Sequence, residues 1–203
     1  MKYKPNNGEE LKALCDDESV YLGDIDTSLV TDMSMLFYGS SRTDFSGIES
    51  WDVSKVVDMS YMFECSNFNH PIGFWNVANV RSMEGMFRFS FFNQSLNSWD
   101  VSGCENMRFM FHCALFNQPL DQWNVSNVKD MSHMFEGSSF NHPLNSWDVS
   151  SVENLSYMFF CSKFNHPLDS WDVGNVENME NMFKDCTYSH SLESWGEKNP
   201  FKK

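Results

Sequence analysis

The chain has 203 residues and a formal net charge of -14, with 28 acidic and only 14 basic residues. Because phosphate binding needs clustered lysine and arginine, this balance excludes nucleic acid as the expected partner and favours a cationic protein or a metal ion. No apolar stretch approaches the roughly 20 residues of a membrane span, so membrane insertion is not expected.

The first predicted element is a short amphipathic helix within Pro5–Ser19. It has two glutamates in its first turn, and Leu11 and Leu14 share one face. A stack of repeats needs its first apolar face covered, so residues 1–23 are predicted to form a capping helix and linker. The segment lacks the apolar region of a signal peptide, which leaves the location open between the cytoplasm and a non-standard export route.

A repeat occupies residues 24–195. All seven tryptophans lie at intervals of 24 residues, and around the first six the pattern reads W-[DN]-V-x-x-[VC]-x-x-[ML]-x-x-M-F. Ile25 takes the tryptophan position in a degenerate first coil, and the link from that coil to the next is two residues longer. Self-similarity at this period predicts one elongated repeat domain, followed by a charged tail at residues 196–203.

Within each unit the pattern predicts a strand followed by a short helix. In the unit around Trp123, Leu120–Val125 has the L-x-x-L-x-L spacing of a leucine-rich-repeat strand. The apolar residues of Val128–Phe135 then follow at i, i+3, i+6 and i+7, which is helical spacing. We therefore expect an α/β repeat solenoid, a leucine-rich-repeat-like right-handed superhelix of about eight coils stacked about 4.8 Å apart.

The run W-D-V-S-x-V-x-x-M-x-x-M-F-x-x-C-x-x-F-N-x-P-L resembles the BspA-like leucine-rich repeat family, a bacterial surface-protein repeat of about 26 residues that is also described as a mycoplasma-type domain of unknown function. The resemblance covers roughly residues 24–195 in six nearly regular copies. It implies a leucine-rich-repeat-type solenoid that serves adhesion or protein binding in host-associated microbes, with no catalytic residues to carry over. The chain departs from the family pattern in its shorter period and in the missing export signal.

Six tryptophans form the predicted core column. Each shares a strand face with the valine two positions later, and an apolar pair at i and i+2 is typical of a buried face. We favour this interpretation over an exposed aromatic track for sugars or peptides. The column consists of Trp51, Trp75, Trp99, Trp123, Trp147 and Trp171.

An asparagine recurs at the same position of five units. Amide columns in repeat stacks usually bind main-chain groups of neighbouring coils, so we predict a structural ladder of Asn69, Asn93, Asn117, Asn141 and Asn165. The next column holds His70, Gln94, Gln118, His142, His166 and His190. Zinc binding by these histidines is not favoured, because glutamine replaces histidine in two units and no cysteine or carboxylate completes a set.

The residue after each of the first six tryptophans is aspartate or asparagine. The predicted role is to accept a backbone N–H at the following turn, which both residue types do equally well. Cation binding is the alternative, and Asp148 and Asp172 are its weak candidates because they are the two neighbouring aspartates of the column. We predict neither a resident metal nor another cofactor.

One unit, the second regular one, departs most from the others. It and its preceding link carry phenylalanines where other copies have mainly small or polar residues, and two arginines lie close by in the sequence. Exposed aromatics beside arginine are typical of an interface hot spot, with local repacking as the alternative. The partner-binding candidates are Phe74, Phe89, Phe91, Arg81 and Arg88.

Two classes of function fit this pattern. We expect a non-catalytic protein-binding or adhesion module that engages a protein partner, including host proteins. The alternative is a structural or self-assembling repeat protein that makes homotypic contacts and forms a homo-oligomer. An enzyme is not expected, because the sequence contains no nucleophile with its base, no phosphate-cradling loop and no pair of carboxylates in a cleft.

Overall fold

The computed structural model describes residues 1–202. Its one α-helix, α1, spans Gly8–Asp16, and short 3₁₀ helices occupy Leu22–Asp24, Ile48–Ser50 and Glu193–Lys198. Single parallel bridges join equivalent residues of consecutive coils, and within the described residues none extends into a strand. The bridges are Tyr3–Ile25, Asp32–Asp58, Asp58–Ser82, Ser82–Asn106, Asn106–Asp130, Asp130–Asn154 and Asn154–Asn178.

The predicted α/β solenoid of strand and helix is therefore wrong. Leu120–Val125 contains no strand and Val128–Phe135 contains no helix, although the coils do stack at the predicted 24-residue interval. The repeat pattern identified the residues that face the core. It did not identify the backbone conformation that brings them there.

The predicted helix fails because every second N–H group from Met131 onward pairs with the next coil. In the segment from Met131 to Gly137, every second amide donates forward, as Phe135 does to the carbonyl of Met158 at 2.9 Å. The amides between them close tight turns instead, as Met134 does onto the carbonyl of Met131 at 3.2 Å. An α-helix needs each amide to bond four residues back, so this sharing of donors excludes it.

The same segment adopts a left-handed backbone twice in each coil, at the eleventh and fifteenth positions counted from the tryptophan. This conformation is costly for residues other than glycine, and here the bonds between coils hold it in place. The residues with positive φ in this segment are Met35, Gly39, Tyr61, Cys65, Gly85, Phe89, Phe109, Cys113, His133, Gly137, Tyr157, Cys161, Asn181 and Asp185.

The predicted strand fails because side chains, not backbone amides, connect the coils there. The Trp123 amide bonds the carbonyl of Leu120 in a local turn at 3.2 Å, while its indole N–H reaches back one coil to the carbonyl of Leu96 at 2.9 Å. The rings of Trp123 and Trp147 stack 6.3 Å apart. No amide of Leu120–Val125 donates to a backbone carbonyl of a neighbouring coil, so a backbone ladder does not form beside this column.

Apolar side chains fill the interior in columns. The six tryptophans assigned to the core by the sequence are buried, with no more than 5% of any of them exposed. Two phenylalanine columns lie beside them, and Phe111 and Phe135 stack with centroids 5.7 Å apart. Parallel stacking of identical side chains means that each coil buries its apolar face against its neighbours, so no coil is stable alone.

The asparagine column binds consecutive coils together. Each backbone N–H in it donates to the side-chain oxygen of the asparagine one coil earlier, at 2.9 Å for all four pairs from Asn93 onto Asn69 to Asn165 onto Asn141. The last three histidines of the next column do the same with backbone carbonyls, as in the 3.1 Å contact between His142 Nε2 and the carbonyl of Asn117. This arrangement occupies the Nε2 atom of each of these three histidines with a structural contact.

Helix α1 covers the first coil. Asn7 caps it by accepting the Glu10 amide at 2.9 Å, and Leu11 and Cys15 are buried. The helix is shorter than the predicted Pro5–Ser19 segment and lies inside it. Opposite, the tail bends back over the last coil, where Phe201 packs 5.6 Å from Phe183.

The two-residue insertion forms a loop between the first and second coils. Gly47 has a φ of 92°, and a Cβ added there would lie 2.2 Å from the backbone nitrogen of Gly23. Arg42 is only 3% exposed, and its guanidinium donates to the carbonyls of Cys15, Asp17, Val20 and Asp44. One buried cation thus connects the loop with α1 and its linker.

Candidate functional site

A connected surface runs along the coils on the side of the left-handed turns. It is formed by side chains at the tenth, eleventh, fourteenth, fifteenth and seventeenth positions of each coil, and we call it the turn face. Because these positions alternate with buried methionine and phenylalanine, the fold keeps their backbone rigid while their side chains vary. The best-connected part consists of Arg88, Phe89, Phe109, His112, His133 and Glu136.

Two arginines lie over aromatic rings at the centre of the turn face. The guanidinium carbon of Arg88 is 4.8 Å from the ring centroid of Phe89 and 5.1 Å from that of Phe109. Arg108 lies over Phe109 at 4.6 Å. Arg88 is also held by Glu64, whose Oε1 is 2.9 Å from its Nη1, and burial raises the pKa of that carboxyl. Contacts of this kind are worth about 0.5–2 kcal/mol each, so they order the arginine side chains.

Two histidines and a glutamate extend this cluster into the next coil. His112 meets the rings of Phe89 and Phe109 edge-on at 5.0 and 5.5 Å, and His133 stacks on Phe109 at 4.5 Å. Glu136 Oε2 lies 2.5 Å from His133 Nδ1 and 3.4 Å from His112 Nδ1. Burial lowers the pKa of His112 and outweighs the opposing effect of Glu136, so this imidazole is mainly neutral at pH 7.

The chain of ring contacts continues toward the last coil. His133 stacks on Tyr157 at 4.8 Å, and Tyr157 meets Phe160 at 5.5 Å. Lys184 lies 5.9 Å from the Phe160 ring. The turn face therefore crosses every regular coil from Glu64 to Lys184 through direct side-chain contacts.

The apolar part of the turn face is exposed to solvent. Phe89 is 44% exposed, Phe91 60% and Leu115 52%. The Leu115 amide donates to the Ser90 carbonyl at 3.2 Å, which sets Leu115 beside Phe91 on the neighbouring coil. Exposed large apolar side chains are thus grouped here, next to the arginine cluster.

Three of the five predicted partner-binding residues lie together on this surface, namely Arg88, Phe89 and Phe91. Phe74 is equally exposed, at 62%, but occupies the last position of its coil, outside the turn face. Arg81 occupies the seventh position and donates to the carbonyl of Gly103 at 2.6 Å. The structure therefore separates Phe74 and Arg81 from the other candidates.

The aspartate column is engaged in local turns. Asp148 Oδ1 accepts the Ser150 amide at 3.0 Å, and Asp172 Oδ1 accepts the Gly174 amide at 2.9 Å. The hydroxyl and amide of Ser150 lower the pKa of Asp148. Asn124 makes the same turn with the Ser126 amide at 3.1 Å. Within residues 1–202 no group of three histidine, cysteine or acidic side chains is arranged to hold a metal ion.

Comparison with known proteins identifies the family. A family model described as "Mycoplasma protein of unknown function, DUF285" matches residues 10–115 and, again, residues 89–195. The chain belongs to this family. No curated protein and no solved structure matches it. Membership of DUF285 confirms the mycoplasma-type part of the resemblance and the repeat character of the chain.

In its described part, the DUF285 chain contains no helix that is long and apolar enough to cross a membrane. The family description names no activity, ligand or partner. What the turn face can bind must therefore follow from its own side chains.

Sequence reasoning missed the residues that connect the turn face: Phe109, His112, His133, Glu136 and Tyr157. The predicted helix ends at the thirteenth position and leaves the fourteenth and fifteenth in a separate turn, whereas the left-handed turns of this DUF285 chain bring them and the eleventh position to one surface. A usable signal was present. The eleventh position holds tyrosine, phenylalanine or histidine in four of the regular units, and such a column of large side chains next to buried methionines is unusual for solvent-exposed helix positions.

Proposed function

We propose that this protein is a non-catalytic protein-binding module that contacts its partner through the turn face. The observation that carries the proposal is the arginine–aromatic cluster of Arg88, Phe89 and Phe109 beside the exposed Phe91 and Leu115. Hot spots of protein interfaces are enriched in aromatic residues and arginine, and grouped exposed apolar side chains mark interaction sites. Burying Phe91 and Leu115 under a partner would contribute about 1.5–3 kcal/mol each.

The rigidity of the surface supports the proposal further. Glu64 fixes Arg88 by an ion pair, and the ring contacts restrict His112 and His133. A side chain that is already ordered loses little conformational entropy on association, and immobilising a free one costs about 0.5–1.5 kcal/mol. The turn face is thus preorganised for binding.

The resemblance to BspA-like surface repeats adds adhesion, including adhesion to host proteins, to this proposal. The leucine-rich-repeat fold is not part of it. The absence of catalysis is supported by Cys113, the thiol that follows His112 in the chain. Burial raises the pKa of Cys113, and the nearby Glu136 raises it further, which is the opposite of an activated thiolate.

Affinity capture with a matched pair of variants tests the proposal. Phe91→Ser and Phe74→Ser remove the same side chain at nearly equal exposure, on and off the turn face respectively. Immobilised wild-type protein and both variants are incubated with labelled surface proteins of candidate host cells, and the bound proteins are quantified by mass spectrometry. We expect a saturable partner that wild type and Phe74→Ser retain and Phe91→Ser loses. Equal retention by all three chains would reject the turn face as the binding surface.

Self-assembly is a second candidate function, and the edge of the last coil favours it. The amides of Met179, Asn181, Phe183 and Asp185 correspond to those that bond forward in every earlier coil, and they have no acceptor within residues 1–202. Unpaired N–H groups at an edge can pair with another chain. Light scattering over a range of concentrations tests this function, because a mass that stays monomeric throughout would exclude it.

A further inference from the structure

We infer that the partner presents an acidic, partly apolar peptide segment to the turn face, with a carboxylate on Arg108 and an apolar side chain against Phe91 and Leu115. This inference rests on the proposed function and names the chemistry of the partner. It follows from the positions of the charged side chains on the turn face and from the lack of a counterion for Arg108 within the described residues.

The basic residues of this acidic chain are not evenly placed. It has four arginines, at positions 42, 81, 88 and 108, and three of them fall in two consecutive units. Arg42 is buried at the loop near α1, so the exposed guanidinium groups are confined to this part of the stack. A chain with a net charge of -14 repels acidic molecules elsewhere, and the arginine cluster is the part of the surface that complements a carboxylate.

Arg108 is the free cation of the cluster. Arg88 is paired with Glu64, whereas Arg108 has no ion pair within the described residues and lies over Phe109 at 4.6 Å. Glu84 is already engaged, because its two oxygens accept the Tyr61 hydroxyl and, at 3.1 Å, the Asn106 amide. A guanidinium ordered on a ring with its N–H edge unpaired is suited to bidentate binding of a carboxylate.

The neighbourhood of Arg108 selects a peptide over other carriers of a carboxylate. Contacts lead without interruption from Arg108 through Phe109 and His112 to Phe89, and Phe91 and Leu115 lie beyond it. An extended peptide directs every second side chain to the same face, about 6.6 Å apart, so a segment with acidic and apolar residues two positions apart can place both groups along this path. A sialylated sugar would supply a carboxylate but little apolar surface for Phe91 and Leu115.

Fluorescence anisotropy with synthetic probes tests the inference. The probe is a labelled peptide of about ten residues, roughly 33 Å long when extended, in which glutamate and leucine take turns at every second position with serine between them, so that both face the same side. Its control replaces every glutamate by glutamine, and a sialylated oligosaccharide forms a third arm. The proteins are wild type, Arg108→Gln and Lys55→Gln, the last of which removes another exposed positive charge at the fifth position, outside the turn face.

We expect the glutamate–leucine peptide to bind wild type and Lys55→Gln alike, and to bind Arg108→Gln at least about 10-fold more weakly. The glutamine peptide should bind wild type as weakly as the glutamate peptide binds Arg108→Gln, and added salt should reduce the difference. Equal binding of both peptides, an unchanged affinity of Arg108→Gln, or no binding of the acidic peptide up to about 1 mM would overturn the inference. Binding of the sugar without the peptide would also overturn it.

The capture experiment separates failure of this inference from failure of the proposed function. If Phe91→Ser loses the partner while Arg108→Gln retains it, the turn face binds a partner but the partner is not acidic. If Phe91→Ser retains the partner, the turn face is not the binding surface and both statements fall. Thermal melting of each variant beside wild type shows whether a loss of binding reflects a loss of folding.

Discussion

The regular coils and the junction between the first two coils satisfy their buried polar groups in different ways. From Trp99 onward the indole N–H of each tryptophan donates to a carbonyl 27 residues earlier, as Trp99 does to Ile72 at 2.9 Å. Beside the junction, Trp51 reaches Leu22, 29 residues earlier, at 2.9 Å, whereas the indole N–H of Trp75, one coil further on, is buried and has no acceptor in the part of the chain that the structure describes. The residue 27 positions before it is Ile48, which directly follows the inserted loop.

The difference shows what a strict repeat length contributes. With a constant period every polar group meets the same partner in the neighbouring coil, so one solution serves all coils. Two extra residues break that pairing locally, and the backbone carbonyls around the insertion then need another donor. Arg42 supplies it, because a guanidinium has five N–H donors and remains charged when buried.

Removing Arg42 should have the largest effect on stability. Arg42→Ala leaves the carbonyls of Cys15, Val20 and Asp44 without this donor in a buried site, so we expect a loss of about 3–5 kcal/mol in the free energy of unfolding. Urea unfolding followed by tryptophan fluorescence measures it. Arg42→Lys keeps the charge but reaches fewer carbonyls, so its loss in the free energy of unfolding should be intermediate. A loss below about 1 kcal/mol for Arg42→Ala would mean that water replaces the guanidinium.

A pair of tryptophan variants should show the opposite contrast, because the change in a regular coil should destabilise the protein more than the change beside the junction. Trp99→Phe and Trp75→Phe remove similar apolar volume, but Trp99→Phe loses an indole hydrogen bond to the Ile72 carbonyl, whereas Trp75→Phe removes a buried N–H that has no acceptor within the described residues. We expect Trp99→Phe to lose about 1–2 kcal/mol more than Trp75→Phe in the same urea experiment. Equal losses would show that the Trp75 N–H finds an acceptor in solution, and the contrast between junction and regular coil would disappear.

The sequence predicted the residues of the core far better than the path of the backbone. The 24-residue period and the apolar pattern select the tryptophan, methionine and phenylalanine columns, because burial depends on side-chain chemistry. Helical and strand assignments failed because apolar spacing does not reveal whether an amide bonds within its own segment or to the next coil. The amides of His133 and Phe135 take the second option.

The candidate site was predictable only where a residue departed from its column. Phe89, Phe91 and Arg88 differ from their counterparts in other units, which drew attention to them. His133 and Glu136 lie four and one positions from Gly137 and do not look unusual alone. Their role depends on left-handed turns that non-glycine residues seldom adopt, so no propensity rule anticipates them.

The asparagine ladder exists only in the regular coils, and disrupting it should reduce stability by less than the changes above. Asn117→Ala removes the acceptor of the Asn141 amide, a 2.9 Å bond at an exposed position where water can substitute in part. We expect a loss of about 1 kcal/mol by urea unfolding. Asn117→Asp retains a side-chain oxygen at that position and should lose clearly less. A loss of the same size in both variants would indicate that the amide nitrogen, not the oxygen, stabilises the column.

The smallest effect is expected in the aspartate column, where junction and regular coils do not differ. Asp148→Asn and Asp172→Asn retain the oxygen that accepts the turn amide, as Asn124 does in the native chain, so stability at pH 7 should change by less than about 0.5 kcal/mol.

The folded-state pKa of Asp148 is lowered by Ser150, so its carboxylate contributes stability above its ordinary pKa and loses that contribution as pH falls through the folded value. Any stability advantage of wild type over Asp148→Asn should therefore be present at neutral pH and disappear as the pH falls through the folded pKa of Asp148. Melting curves with calcium and with chelator provide the decisive control, because an ion that binds only the folded state raises the melting temperature. We expect the two curves of the wild type to coincide, whereas a calcium-dependent rise that the double variant lacks would assign cation binding to this column.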